Sequence, residues 1–120
     1  MDTTTLIKFN YENPPDKPFP RTKETIDSYD DFTKTDGPKE FITNILDKLK
    51  INKFHMCPNI FPYDIQPPII HSCLWYRGNT TKEEILNFLH KNNIEYVTFF
   101  ENPNHLKSVK DISHYHIFHY

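Results

Sequence analysis

The sequence predicts an α+β fold: a small, mostly antiparallel sheet of about three or four strands, packed on one face against two or three helices. Apolar residues recur at the spacing of one helix face in three segments, and short runs rich in β-branched and aromatic residues lie between and after them. The predicted order is two helices, a strand, a helix and two strands. With 120 residues, of which 37% are hydrophobic, the chain is expected to form one core.

Residues 1–20 are predicted to form an extended N-terminal arm, and residues 21–120 a single α+β domain. Four prolines lie in the arm, namely Pro14, Pro15, Pro18 and Pro20. Because each proline removes an N–H donor and restricts φ, no helix is expected there. The arm also carries apolar side chains, so it is expected to pack along the domain; they are Leu6, Ile7, Phe9, Tyr11 and Phe19.

Two helices are predicted after the arm. The first covers residues 21–33, because Thr22 can cap it and apolar residues recur every three positions, at Ile26, Tyr29 and Phe32. The second begins after Asp36, with a proline in its first turn. Its apolar stripe predicts a buried face, made of Phe41, Ile42, Ile45, Leu46 and Leu49.

The second half of the chain predicts the sheet. Residues 51–68 contain four prolines and are expected to form a long, functional loop. Strands are predicted at residues 69–76, 95–100 and 115–119. A third helix lies between the first two strands and ends at Asn92 and Asn93. Either Thr80 with Glu83 or Thr81 with Glu84 forms its capping box.

Composition and charge narrow the class of protein. The net charge is −2, so no basic field favours nucleic acid as a partner. No apolar stretch reaches the length of a membrane span, and residues 1–15 do not resemble a secretory signal. Two cysteines do not make a disulfide scaffold, so a reducing, cytoplasmic location is expected. The absence of alanine, with only two glycines, indicates an AT-rich genome, such as that of a protist or a large DNA virus.

Three histidines are the predicted catalytic residues. Alternate residues of a strand share a face, so His114 and His116 point the same way, as do His71 and Trp75. If the two strands are neighbours, His71, His114 and His116 converge on one patch. Imidazoles there can transfer protons or hold a phosphate. The alternative is that all three are half-buried sheet residues bonded to backbone carbonyls.

Polar residues in the loops extend this candidate site. The predicted ligand-binding residues are Arg21, Asn59, Tyr63, Trp75, Asn102, Lys107 and Ser108. Two cations among them, Arg21 and Lys107, suit an anionic group, so a phosphorylated small molecule is the expected ligand. The alternative for Asn59 and Asn102 is that they form turns, since each stands beside a proline.

Metal and cofactor binding are not predicted. Two pairs with one intervening residue, His55 with Cys57 and His71 with Cys73, offer Cys and His ligands. Structural zinc sites usually have two to four intervening residues, so the sequence assigns no metal ligand. A buried, structural role is the alternative for Cys73.

Several of these residues stand in short motifs. Residues 59–64 read NIFPYD, His71 precedes Trp75 by four positions, Asn102 precedes a proline, and His114 and His116 alternate near the end. This pattern resembles the fungal N-acetylglucosamine-induced protein family, a domain of unknown function also found in some large DNA viruses. The resemblance covers residues 19–119. It implies no reaction or ligand.

The chain departs from that family's pattern in the loop. Ile60 and Phe61 replace an acidic residue and a tryptophan, and Asp64 replaces a glycine. The sequence also supports a second functional hypothesis, a non-enzymatic interaction module. Residues 9–20 and 54–68 are rich in proline and aromatic residues, and an exposed surface of that kind would bind a protein partner without catalysis.

Overall fold

The computed structural model describes residues 1–103 and 112–120. Its helices and strands are α1 (Thr3–Leu6), α2 (Lys23–Thr33), α3 (Gly37–Ile51), β1 (Phe54–Pro58), β2 (Ile70–Tyr76), α4 (Lys82–Lys91), β3 (Tyr96–Phe100) and β4 (Ser113–His119). The four strands form one antiparallel sheet in the order β1-β2-β4-β3. The predicted α+β class is confirmed.

The register of the sheet positions the candidate site. In the central pair, β2 and β4, Cys73 lies opposite His116 and Trp75 lies opposite His114. In the outer pair, β1 and β2, Cys57 lies opposite Cys73. Since partners across a ladder point to the same side, these side chains share one face of the sheet, which we call the site face.

Helices cover both faces of the sheet, whereas the sequence predicted helices on one face. On one side, Ile85 and Leu89 of α4 pack into a cluster with strand residues such as Leu74 and Ile117. On the site face, α3 packs against Cys73 and Trp75. The physical reason is that β2 and β4 are buried at five consecutive positions each, and a strand buried on both sides needs a layer on each side.

Two segments that were predicted to be irregular, the N-terminal arm and the long loop, each contain a regular element. The arm contains the short helix α1, capped by the Asp2 side chain, because its prolines all lie after Asn13 and leave residues 3–6 free to turn. The arm does pack along the domain, with Leu6 fully buried, but Ile7, which was also expected to pack, is exposed. The predicted long loop begins with strand β1, which pairs with β2 through residues 54–58. Strand β1 contains one proline, Pro58, as its last residue. A proline is tolerated there because β1 is an edge strand of the sheet.

Two of the three predicted helix starts are confirmed by side-chain caps, and α3 begins after Asp36 without one. The side chain of Thr22 accepts a hydrogen bond from the backbone N–H of Thr25, and that of Thr81 accepts one from Glu84. Of the two N-cap residues that the sequence allowed, the helix therefore uses Thr81, while the Glu84 carboxylate pairs with Lys53. Asn93 follows α4 with φ of 55°, a conformation that asparagine tolerates.

Within residues 1–103 and 112–120, no helix combines the length and the apolar character needed to cross a membrane.

Candidate functional site

A pocket of about 340 Å³ opens between α2, α3 and the site face of the sheet. Its volume is at the small end of the range for sites that take one small organic molecule. Seven of the ten predicted site residues line it, namely Arg21, Asn59, Tyr63, Trp75, Asn102, His114 and His116. His71 contacts Tyr63 and His116 without lining the pocket itself. Lys107 and Ser108 lie outside the described residues.

The walls of the pocket are aromatic and apolar, and sequence reasoning missed most of them. Tyr29 and Phe32 come from α2, Phe41 comes from α3, and Phe61 comes from the loop after β1. Phe61 packs edge-on against Tyr29 and also contacts Phe32. The signal was present in the sequence, because Tyr29 and Phe32 form one apolar face of α2. Their spacing predicts an apolar helix face but not what covers it, and no residue of α2 is fully buried.

Arg21 brings a permanent positive charge to the pocket. Its Nε donates a hydrogen bond to the backbone carbonyl of Phe61 at 2.9 Å, and its guanidinium lies 4.5 Å from the centroid of the Tyr63 ring. Among the described residues that line the pocket there is no aspartate, glutamate or lysine. The permanent charge in this part of the pocket is therefore positive and favours an anion.

The histidines converge as the strand parity predicted. His71 Nε2 and His116 Nδ1 are 2.7 Å apart, and the rings of His114 and His116 have centroids 5.0 Å apart. The ring of His114 also packs against Trp75, with centroids 4.3 Å apart. All three histidines are buried, so they form part of the packed site face as well as a polar cluster.

Tyr63 and Asn102 complete a network around these histidines. The backbone N–H of Tyr63 donates to His71 Nδ1 at 3.1 Å. The amide of Asn102 lies 3.0 Å from the Tyr63 hydroxyl and 3.1 Å from His116 Nε2. The loop after β1 and the end of β3 are thereby tied to the two central strands.

Burial sets the protonation of this network. It lowers the pKa of His71 to about 3, and the nearby charge of Arg21 acts in the same direction. Burial also lowers the pKa of His116 well below its ordinary value, and it raises the pKa of the Tyr63 hydroxyl. At neutral pH the two histidines and the tyrosine are all uncharged.

Asn59 forms a turn, as the alternative prediction for this residue had it, and it also contacts a residue of the site face. Its side-chain oxygen accepts a hydrogen bond from the backbone N–H of Phe61 at 2.8 Å, as in an Asx turn. Its side-chain nitrogen donates to the sulfur of Cys73 at 3.3 Å. The same residue therefore shapes the loop and orients a buried thiol.

A group of possible metal ligands lies within this network. Atoms of His71, Cys73 and His116 lie within 4.8 Å of one another, whereas His55 and Cys57 are outside the group. His71 is poorly suited as a ligand, because the backbone N–H on its Nδ1 leaves the proton of the neutral ring on Nε2. A metal-bound imidazole normally donates from its second nitrogen instead. The His71–His116 contact therefore has the chemistry of a hydrogen bond.

Comparisons with known proteins define the family and the fold. The model of the DUF3605 family, described as proteins of unknown function, matches residues 24–120, and the chain belongs to this family. The crystal structure of HTC1 is similar in fold, with a TM-score of 0.60 and 18% sequence identity. The similarity covers 85% of this chain and 76% of that one. No curated protein matches the chain.

Proposed function

We propose that this protein binds a small organic molecule carrying a phosphate or a similar oxyanion, in the pocket between α2, α3 and the site face. The observation that carries the proposal is the charge of the pocket. Arg21 lines it without a carboxylate among the described lining residues, and it makes no ion pair with the described acidic residues. An arginine without an acidic partner can use its planar donors for an oxyanion.

The apolar walls favour a ligand with a flat, apolar part. Tyr29, Phe41 and Phe61 present ring surfaces, on which a base or another aromatic group packs favourably. A sugar would leave several hydroxyls without partners against such walls, and unpaired polar groups are costly to bury. An aromatic phosphate therefore fits the pocket better than a sugar phosphate, and a nucleotide meets the requirement through its base.

The neutral histidines favour binding over proton transfer. A general acid or base at neutral pH needs a pKa near 7, whereas burial holds the pKa of His71 at about 3. Catalysis by His71 is therefore not part of the proposal. The aromatic side chains of residues 9–20 pack inward, with Phe19 against Tyr63 and Phe100, which favours a ligand pocket over a docking surface on that segment.

The finer resemblance to the fungal N-acetylglucosamine-induced proteins belongs to this proposal. Asn59, Tyr63 and Trp75, which carry part of that resemblance, also line the pocket. A reducing, cytoplasmic location is proposed with it, since Cys57 and Cys73 lie directly opposite each other as free thiols. An oxidising compartment would favour their pairing.

The fluorescence of Trp75 provides the test. It is the chain's single tryptophan and it lines the pocket. We expect phenyl phosphate and adenosine monophosphate to change its emission in a saturable way, and phenol to bind more weakly. Arg21→Gln should weaken phenyl phosphate binding by about tenfold or more, which corresponds to 1.4 kcal/mol of lost charge-assisted bonding. Thermal melting of each variant checks that it is folded.

The second arginine of the chain supplies the matched control. Arg77 is exposed at the end of β2 and does not line the pocket, so Arg77→Gln should bind phenyl phosphate as the wild type does. Saturable binding that Arg21→Gln leaves unchanged would contradict the proposal. So would the absence of any shift in emission or melting temperature with both phosphate esters. That second outcome would leave protein binding through residues 9–20 and 54–68 as the hypothesis to pursue.

A further inference from the structure

The hydrogen bonds around Tyr63 have a fixed direction. A backbone N–H only donates, so the bond from Tyr63 N to His71 Nδ1 makes that ring nitrogen an acceptor. A neutral imidazole carries one proton, and in His71 this proton must then sit on Nε2. His71 Nε2–H therefore donates across 2.7 Å to Nδ1 of His116. The Asn59 amide nitrogen lies farther from this Nε2, at 3.5 Å, and donates to the Cys73 sulfur instead.

The same reasoning continues to the next residue. Because Nδ1 of His116 accepts, the proton of its neutral ring sits on Nε2, which lies 3.1 Å from the side-chain amide of Asn102. The group that faces a donor must be an acceptor, so the amide oxygen belongs in this position. The structure places Nδ2 there, and a half-turn of the amide exchanges the two atoms, which have nearly the same shape.

The hydroxyl of Tyr63 agrees with this orientation. It lies 3.0 Å from the same amide atom, so with the oxygen in place the hydroxyl donates to it. Tyr63 then closes a ring of hydrogen bonds, with its backbone N–H at one end and its O–H at the other. Burial keeps the pKa of both histidines low, so protonation does not disturb this order at neutral pH.

The order of the ring determines what Asn102 offers to a ligand. After the half-turn, the NH2 group of Asn102 occupies the position where the structure has Oδ1. The atom in that position has no hydrogen-bond partner among residues 1–103 and 112–120. Asn102 is only 9% exposed and lines the pocket, and its neighbour Tyr63 carries the guanidinium of Arg21 over its ring. A buried NH2 with two unused donors is costly unless a ligand accepts from it.

We infer that Asn102 is a specificity-determining residue that donates from its amide nitrogen to an acceptor oxygen of the anionic ligand, with His71 and His116 as positioning residues that hold the amide in this orientation. This inference rests on the proposed function, since it describes the polar end of the same pocket. It selects ligands that present acceptor oxygens to both Arg21 and the Asn102 amide, and a phosphate ester or a carboxylate meets that requirement.

Nitrogen NMR of the ligand-free protein tests the ring by itself. Long-range ¹H–¹⁵N spectra distinguish the two tautomers of a neutral imidazole, and we expect the Nε2–H form for both His71 and His116 at pH 7. In His71→Gln, the tautomer preference of His116 should weaken, whereas a merely structural role of His71 would leave it unchanged. An Nδ1–H form of either histidine in the wild type would overturn the inference.

Binding of phenyl phosphate tests the donor. Asn102→Asp keeps the shape of the side chain and replaces the donor by a charged acceptor, so affinity should fall about tenfold or more. Asn44→Asp makes the same change on the exposed side of α3 and should leave affinity unchanged. Benzoate in parallel shows whether the site prefers phosphate or carboxylate.

The outcomes separate the two proposals. Wild-type affinity in Asn102→Asp would overturn the inference about Asn102 and leave the proposed pocket standing. Absence of binding to the wild type would overturn the proposed function, while the tautomers would still decide the order of the ring. If Asn102→Asp fails to fold, Asn102→Ser provides the second variant, because it removes the amide donor without adding a charge. Unchanged affinity in that variant would equally overturn the inference.

Discussion

His71 Nε2 lies 2.7 Å from His116 Nδ1, although the two residues are 45 positions apart in the chain. The bond joins neighbouring strands of the sheet, between residues that are not direct partners, since Cys73 is the partner of His116. It is buried beneath the Tyr63 ring, which stacks on both imidazoles. This hydrogen bond connects the two central strands, and the bond from Tyr63 N to His71 Nδ1 adds the loop after β1.

The buried histidines predict loss of stability in acid. In the unfolded chain a histidine has a pKa of about 6.5, whereas His71 in the folded protein has a pKa of about 3. Below pH 6.5 the unfolded chain binds a proton that the folded protein does not. The free energy of unfolding should therefore fall between pH 6.5 and pH 3, by up to about 1.4 kcal/mol per pH unit for each such histidine.

Urea unfolding at pH 7, 6 and 5 measures this slope. The charges of His114, on the same face of the sheet, and of His119, on the opposite face, lower the pKa of His71 further. His71→Gln should show a shallower slope even if it is less stable at pH 7. His90→Gln, at the exposed end of α4, should keep the wild-type slope. Equal stability of the wild type at pH 7 and pH 5 would show that these histidines are not held neutral.

Strand parity explains why the sequence located the histidine cluster. His71 and Trp75 alternate on one strand and His114 and His116 on another, so adjacency of the strands was sufficient to bring them together. The caps at Thr22 and Thr81 are local signals that depend on a few residues, and they too could be predicted. The tautomers could not, because they depend on a backbone N–H in a loop.

The pocket walls and the first strand were harder to predict. Residues 54–58 form β1 beside a proline-rich loop, and the pairing that stabilises them comes from β2, so their own pattern is weak. Tyr29 and Phe32 have the spacing of a core face, and only the placement of α2 shows that they border a cavity. Periodicity indicates which face is apolar; it does not indicate whether that face is fully covered.

The two cysteines should differ in reactivity. Both cysteines line the pocket, and burial raises the pKa of each. Cys73 is 5% exposed and its pKa is raised to about 12, whereas Cys57 is only half-buried. Because the thiolate is the reactive form, iodoacetamide should modify Cys57 well before Cys73 in the folded protein. Peptide mass spectrometry measures both rates, and in urea the difference should disappear. Equal rates in the folded protein would contradict the burial of Cys73.

The turn after β2 should require glycine for its backbone conformation alone. Gly78 has φ of 70°, and no heavy atom lies within 4 Å of the position that a Cβ would take. Gly78→Ala should therefore destabilise the protein by about 1 kcal/mol through strain, without a steric clash. Gly78→Asn should cost less, because asparagine tolerates this region. Urea unfolding compares them, and an equal or larger cost for asparagine would show that another factor governs the turn.

At Gly37, at the start of α3, a substitution should destabilise the protein through a steric clash and not through backbone strain. A Cβ at Gly37 would lie 2.4 Å from Cε2 of Phe32, whose ring forms part of the pocket wall. Gly37→Ala should therefore displace that ring and destabilise the protein by about 1–3 kcal/mol. It should also alter phenyl phosphate binding, because Phe32 in turn contacts Phe61.

A double-mutant cycle isolates this contact. In Phe32→Ala the obstructing ring is absent, so adding Gly37→Ala should be neutral or stabilising, since alanine favours a helix more than glycine does. The interaction energy from urea unfolding of the four proteins should therefore be about 1 kcal/mol or more. Additive effects of the two substitutions would mean that the Phe32 ring moves aside without cost, and that α2 is only loosely held against α3.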